Sequence, residues 1–252
     1  MPETSAQAQT PSFRQVSSGN GVDWWSSAWK LLFNRGATAI WIVMWVIAFV
    51  ILVVLHWIPF IGSFAGQIAW FVFMGGWMLA SRKTDESTPP ALGDLFAGTG
   101  APLGSLMVAA VLVLVAELVI GGVMFVGGAS AAVGALFGGL GRPGVMAGLG
   151  ATSALLILIG LVLLIPVFMA AWLAPALIVF RQQPPVEALK TSLRACWANL
   201  GALTIYGLLW IGFAIIATIL LGLGWLILAP LSILSTYVAY RDLFEPEQAT
   251  AS

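Results

Sequence analysis

Long apolar runs alternate with short polar ones along the chain. Residues 37–55, 62–80, 103–126, 153–180, 201–221 and 225–240 are each dominated by aliphatic and aromatic side chains. About 20 such residues, rising 1.5 Å each, cross the ~30 Å hydrocarbon core of a bilayer. Hydrocarbon offers no partner to a backbone amide or carbonyl, so each run is predicted to be a helix that satisfies itself. The expected fold class is all-α, a polytopic transmembrane helical bundle of about six spans. His56, Trp57, Ile58 and Pro59 form a tight turn between the first two. Pro166 and Pro175 place possible kinks in the fourth. The sixth run is short unless its helix continues through Arg241, Asp242, Leu243 and Phe244.

Basic residues set the orientation, because loops rich in Lys and Arg stay in the cytoplasm. Arg14, Lys30 and Arg35 precede the first span, Arg82 and Lys83 follow the second, Arg181, Lys190 and Arg194 follow the fourth, and Arg241 follows the sixth. The alternate loops hold Arg142 alone. Both termini are therefore expected on the cytoplasmic side. The same bias bears on residues 127–150, apolar enough to resemble a further span but rich in glycine. A crossing there would turn Arg181, Lys190 and Arg194 outward, and glycine is a poor helix former. The stretch is expected to be an outer loop or a re-entrant segment.

Three segments just before a hairpin are amphipathic. In the first, Trp25, Ala28, Trp29, Leu32 and Phe33 oppose Asp23, Ser26, Ser27, Lys30 and Asn34. In the last, Val186, Leu189, Leu193, Cys196 and Leu200 oppose Glu187, Lys190, Thr191 and Arg194. A shorter middle version carries Leu92, Leu95 and Phe96. Such segments suit the membrane interface; the alternative is that they are polar-faced starts of longer helices. Asn34, Gly36, Ala37, Ile40, Trp41 and Trp45 align with Asn199, Gly201, Ala202, Ile205, Tyr206 and Trp210. That alignment is consistent with three parallel repeats of interfacial helix plus hairpin.

Composition agrees with lipid as the main solvent. Hydrophobic residues make up 60% and charged residues 8%, against roughly 25% charged in a typical soluble domain. Net charge is zero, so nucleic acid is not an expected partner. One cysteine, Cys196, and one histidine, His56, leave no basis for a disulfide, zinc or haem site; no cofactor or metal is expected. Cys196 offers a single thiol on the expected cytoplasmic side for labelling with an impermeant reagent. Residues 1–22 lack an apolar core and are expected to form a disordered cytoplasmic tail rather than a cleaved signal. The membrane domain is expected over 23–244, with a short cytoplasmic tail over 245–252.

Few residues invite chemistry. Glu117 lies within the third span, where an acid is expensive and by default marks a proton or cation site; the alternative is a carboxyl hydrogen-bonded within the bundle. Ser232, Ser235, Thr236 and Tyr240 share one face of the sixth span. They either line a polar path or satisfy themselves on backbone carbonyls while helices pack. Gly139 to Gly144 matches a dinucleotide-binding spacing, but follows no strand and opens no soluble helix. No paired catalytic groups are evident, so an enzyme is not expected.

Ala171-Trp172-Leu173-Ala174-Pro175-Ala176-Leu177, then Pro185, Ala188, Leu189, Ser192 and Asn199, and finally the run from Ser235 through Tyr240-Arg241-Asp242-Leu243-Phe244 carry a resemblance. The chain resembles a group of uncharacterised bacterial six-span inner-membrane proteins, related in pattern to the membrane domain attached to some glycerophosphodiester phosphodiesterases. The resemblance covers the last third and the Trp-rich first elbow, and it implies the fold and a bacterial inner membrane. The expected function is a non-enzymatic bundle binding membrane lipids, other membrane proteins or copies of itself. The alternative is a small transporter or channel using Glu117 and the hydroxyl face of the sixth span.

Overall fold

The computed structural model describes residues 13–34, 37–59, 61–137 and 143–245, and among them no strand occurs. The helices are α1 (Asn20–Asn34), α2 (Thr38–His56), α3 (Ile61–Asp85), α4 (Leu103–Phe137), α5 (Pro143–Arg181), α6 (Pro185–Ala198), α7 (Leu200–Ile219) and α8 (Trp225–Phe244). A 3₁₀ segment, Leu92–Thr99, lies between α3 and α4. Five helices are long and apolar enough to cross a membrane: α2, α3, α4, α5 and α7. The chain is thus a helical membrane protein.

The sixth predicted run forms α8, which continues through Arg241 and Asp242 to Phe244. Hydroxyls, Arg241 and Asp242 interrupt its apolar stretch, yet nearly every residue from Leu228 to Tyr240 is buried. A helix enclosed by other helices meets no lipid, so its side chains need only match their neighbours.

Residues 127–150 correct the expectation. The described part of this stretch is helical, extending α4 to Phe137 and starting α5 at Pro143; residues 138–142 lie outside the described residues. Extending a helix already formed adds one hydrogen bond per residue with no new nucleation cost, which offsets glycine's penalty of about 1 kcal/mol per residue. At 35 residues, α4 reaches roughly 50 Å, well beyond the hydrocarbon thickness.

The three amphipathic segments are separate elements. α1 ends at Asn34 and α2 begins at Thr38, and Asn199, with φ −120° and ψ 32°, breaks α6 from α7. Their packing follows a cyclic threefold rule. The second helices of the hairpins, α3, α5 and α8, meet one another at the centre. Each elbow leans on the hairpin before it in cyclic order: the 3₁₀ segment on α3, α6 on α5, and α1 on α8 and α7. Each elbow barely touches the helix that follows it. The aligned residues behave alike: Trp41 of α2 reaches Thr84 of α3 (3.3 Å), and its counterpart Tyr206 of α7 reaches Ser235 of α8 (2.9 Å). The three parallel repeats are therefore present in the packing.

Elbows and hairpins approach closely wherever a small residue lies in the contact. A methyl group on Gly21 would fall on the carbonyl oxygen of Ala202, one on Gly98 on that of Val72, and one on Gly76 on that of Leu95. In α6 the buried face is Ala188, Thr191, Ser192, Ala195 and Cys196. Where lipid is as apolar as the side chains, such close backbone approach is what drives helices together.

Residues 13–19 precede α1 and lie against the bundle. The amide of Arg14 donates to the carbonyl of Leu243 (2.9 Å), that of Val16 to Asn199 Oδ1 (2.7 Å), and Phe13 packs edge-on against Phe244. This part of the expected tail is held by hydrogen bonds.

Candidate functional site: the charged end of the bundle

The hairpins open toward one end, where the C-termini of α3, α5 and α8 gather with all three elbows. Acids on α3, on the 3₁₀ segment, and on and just after α8 organise it. Asp242 pairs with Arg14 and accepts from Asn20 Nδ2 and Trp24 Nε1, both at 2.9 Å. Asp85 pairs with Arg241 and accepts from the Tyr237 hydroxyl at 3.1 Å. Glu245 accepts from Arg82 at 2.5 Å and from the Tyr240 hydroxyl at 3.1 Å. Asp94 joins Lys83 (2.6 Å) to the amide of Ala91 (2.8 Å), clamping the 3₁₀ elbow on α3. Arg82 also lies 3.7 Å from the centre of the Phe180 ring. The network thus ties the repeats together across their ends.

Beneath it sits an aromatic cluster. Trp24, Trp25, Trp172 and Tyr206 approach one another at ring-centre distances of 5.0–6.0 Å. Their polar atoms are used: Trp25 Nε1 donates to the Tyr206 carbonyl, and Trp172 Nε1 donates to Thr236 Oγ1 (3.0 Å). Ser232 donates to the carbonyl of Leu228, while Ser235 and Thr236 both donate to that of Ser232. The hydroxyl face of α8 therefore lies inside the bundle with its hydrogen bonds made. Ser235 and Thr236 meet the aromatic cluster; Tyr240 points to Glu245 and Phe180 instead.

Glu117 stands apart on α4. It is half-buried, and among the described residues no hydrogen bond or ion pair reaches it, from these hydroxyls or elsewhere. Val115, Leu118 and Val119 around it are all more than half exposed. The candidate residues thus fall into two unconnected places. The anchors Asp242, Asp85, Asn20 and Ser192 were not read from the sequence as a site. Asp242 had a visible signal, an acid at the end of an apolar helix beside a basic residue.

Ser192 is an unusual joint. Its hydroxyl donates to the carbonyl of Met169 (2.7 Å) and accepts from the amide of Leu173 (3.1 Å), groups an unbroken helix would join to each other. Cys196 approaches the same carbonyl at 3.5 Å. Burial pushes the Cys196 thiol up to about 12 from its ordinary 9.0. A buried, protonated thiol is inert, so Cys196 is unsuited to the labelling use expected of it: it would stay silent on either side of the membrane.

On the outside of the same end, each elbow shows large apolar side chains. Trp29 and Phe33 of α1 are exposed and packed together at 4.3 Å. Leu92 and Phe96 project from the 3₁₀ segment, and Val186, Trp197 and Leu200 from α6 and the start of α7. These residues sit beside Lys30, Lys83, Lys190 and Arg194. In α6 this differs from the expected two-faced pattern, because the side packed on the bundle is the small-residue one. Among the described residues no cluster of three or more His, Cys, Asp or Glu side chains is arranged for a metal.

Comparison with known proteins gives a limited result. No protein family matches the chain, and no solved structure does. The chain is 36% identical, over 111 aligned residues, to a protein of Burkholderia thailandensis described as a probable inner membrane protein. The match covers 37% of this chain and 41% of that relative's length. None of these comparisons links the chain to glycerophosphodiester phosphodiesterases.

Proposed function

We propose that the chain is a bacterial inner-membrane protein of six spans that works without catalysis, binding lipids or other membrane proteins at its cytoplasmic end. The supporting observation is the pair of faces on every elbow. One face is locked to the neighbouring hairpin, through small residues in α6 and through Trp24, Trp25, Ala28 and Leu32 in α1, and the other turns Trp29, Phe33, Leu92, Phe96, Val186 and Trp197 outward beside basic residues. Apolar side chains next to cations match the boundary between acyl chains and anionic headgroups. The relative's description as an inner membrane protein agrees. Native mass spectrometry of the protein released from detergent should show retained phospholipid or a bound membrane protein. Bare protein under conditions that preserve the fold would count against the reading.

In this proposal α8 is the sixth span, and the end carrying the elbows faces the cytoplasm, as the bias in basic residues requires. Because the native thiol is inert, Lys190→Cys, which is exposed, provides the reporter. It should react with a membrane-impermeant maleimide only after spheroplasts are opened; labelling of intact spheroplasts would reverse the topology.

The transporter reading draws on Glu117 alone, since the hydroxyls of α8 are engaged elsewhere. Glu117→Gln is expected to leave proton and solute flux in vesicles unchanged. It should also ease insertion by roughly 1–3 kcal/mol, the penalty of an acid at membrane depth. A lost flux in a folded Glu117→Gln variant would restore transport.

A further inference from the structure

We infer that the outer side of α6, together with α5, is a binding site for one anionic phospholipid, with Arg194 holding the phosphate and the acyl chain lying along an apolar trough. This rests on the lipid-binding reading and gives it a place and a ligand. A trough of about 380 Å³, open to the surface, is lined by Pro166 of α5 and by Leu193, Arg194, Trp197 and Ala198. Pro166, Leu193 and Ala198 offer only hydrocarbon to an occupant. Trp197 is 65% exposed and stands as one wall, with the ring type that settles at headgroup depth.

Charge selects the headgroup. Two cations project from α6 near the trough. Lys190 is paired with Glu187 at 3.1 Å. Arg194 is exposed and, among the described residues, has no hydrogen bond or ion pair. A guanidinium presents several donors in a planar fork, which suits phosphate oxygens, and its long stem lets the charge sit at the interface while the methylenes cover apolar surface. An unpaired cation at the rim of a hydrocarbon trough is complementary to an amphiphile with a negative head and an apolar tail. A free phosphate would leave the trough empty, and a zwitterionic head would bring a positive group toward Arg194.

The site belongs to one repeat only. In the alignment that pairs Asn34 with Asn199, the counterpart of Arg194 in α1 is Trp29, exposed and packed on Phe33. Packing is shared by the repeats, whereas this cation is not.

The test uses full-length protein in detergent, titrated with phosphatidylglycerol or phosphatidylcholine of the same acyl chains and read by native mass spectrometry. Wild type is expected to retain phosphatidylglycerol preferentially, and inorganic phosphate is expected not to displace it. Arg194→Gln should weaken phosphatidylglycerol retention roughly fivefold, the loss from one cation at a membrane surface, with phosphatidylcholine unaffected. Lys190→Gln, whose charge is already paired, should change neither. Trp197→Ala should weaken both lipids together. All three variants replace exposed side chains, and an unchanged thermal melt would confirm that they fold. Equal phosphatidylglycerol retention by wild type and Arg194→Gln overturns this site while leaving the broader reading intact; so does lipid retained without headgroup preference, or displacement by inorganic phosphate. A wild-type protein that retains no lipid removes both.

Discussion

Gly98→Leu is expected to detach the 3₁₀ elbow from α3 and destabilise the protein by about 3 kcal/mol, the upper part of the range for overfilling a packed contact. The reason lies in which atoms would have to move. A side chain at Gly98 is driven onto the carbonyl oxygen of Val72 and toward the amide nitrogen of Gly76, 3.2 Å away. Both belong to the backbone of α3, a helix that cannot yield locally without breaking its own hydrogen bonds. Gly76 faces the same seam from the other side, against the carbonyls of Asp94 and Leu95. Two helical backbones thus meet with nothing flexible between them. Unfolding in detergent, followed by tryptophan fluorescence, measures the loss, and proteolysis between α3 and α4 should speed up. Gly104→Ala provides the contrast, since a methyl there meets no atom within 4 Å. It should be neutral or stabilising by up to about 1 kcal/mol through helix propensity. A Gly98→Leu protein as stable as wild type would mean that this contact is not part of the folded state.

Asp242→Ala is the second large effect, expected to cost about 2–4 kcal/mol. Asp242 is the point at which α1 and the preceding segment are joined to α8. Removing its carboxylate leaves the indole N–H of Trp24 without an acceptor, and Trp24 is 1% exposed. A buried donor stranded in this way costs about 1–3 kcal/mol. Asn20 loses a second bond. The ion pair with Arg14 adds less, because that side chain is 46% exposed and solvent screens it to about 1 kcal/mol or under. Asp242→Asn retains one acceptor oxygen and should recover part of the loss. Thermal unfolding of the three proteins gives the order wild type, Asn, Ala. Limited proteolysis should cut first at 14–19 in the Ala variant. If Ala and Asn behave like wild type, the N-terminal segment is not held through this residue.

The two effects share a cause. Within lipid, helices gain little from excluding one another's side chains from solvent, since acyl chains are as apolar as leucine. Cohesion comes instead from close packing and from polar bonds that have no alternative partner. That is why glycines and a few acids carry so much of this structure, while many leucines and valines on α4, α5 and α7 are exposed and their replacement by other aliphatics should matter little.

The same physics separates what was legible in the sequence from what was not. The helices of the five apolar spans follow from hydropathy and length, because hydrocarbon forces every peptide group to bond within its own segment. The elbows were visible as amphipathic stretches, and the pairing of Trp41 with Tyr206 was visible as an alignment. The described parts of 127–150 misled because glycine's helix penalty is set against the cheap extension of a helix already formed in the neighbouring span. The burial of α8 was hidden, since hydropathy reports a preference for lipid and α8 is enclosed by protein. So was the state of its hydroxyls: Ser235 and Thr236 have the same spacing whether they line a path or bond to Tyr206, Trp172 and the carbonyl of Ser232.

By itself, then, the sequence determined that this is a bundle of membrane helices, because solvent preference and backbone satisfaction are local properties of each run. Only the tertiary structure decided that each elbow rests on the preceding hairpin, that Asp242 gathers Arg14, Asn20 and Trp24, and that Cys196 is sealed. Those depend on which surfaces meet across distant parts of the chain, and partners more than 200 residues apart, such as Arg14 and Asp242, leave no periodic trace in the sequence.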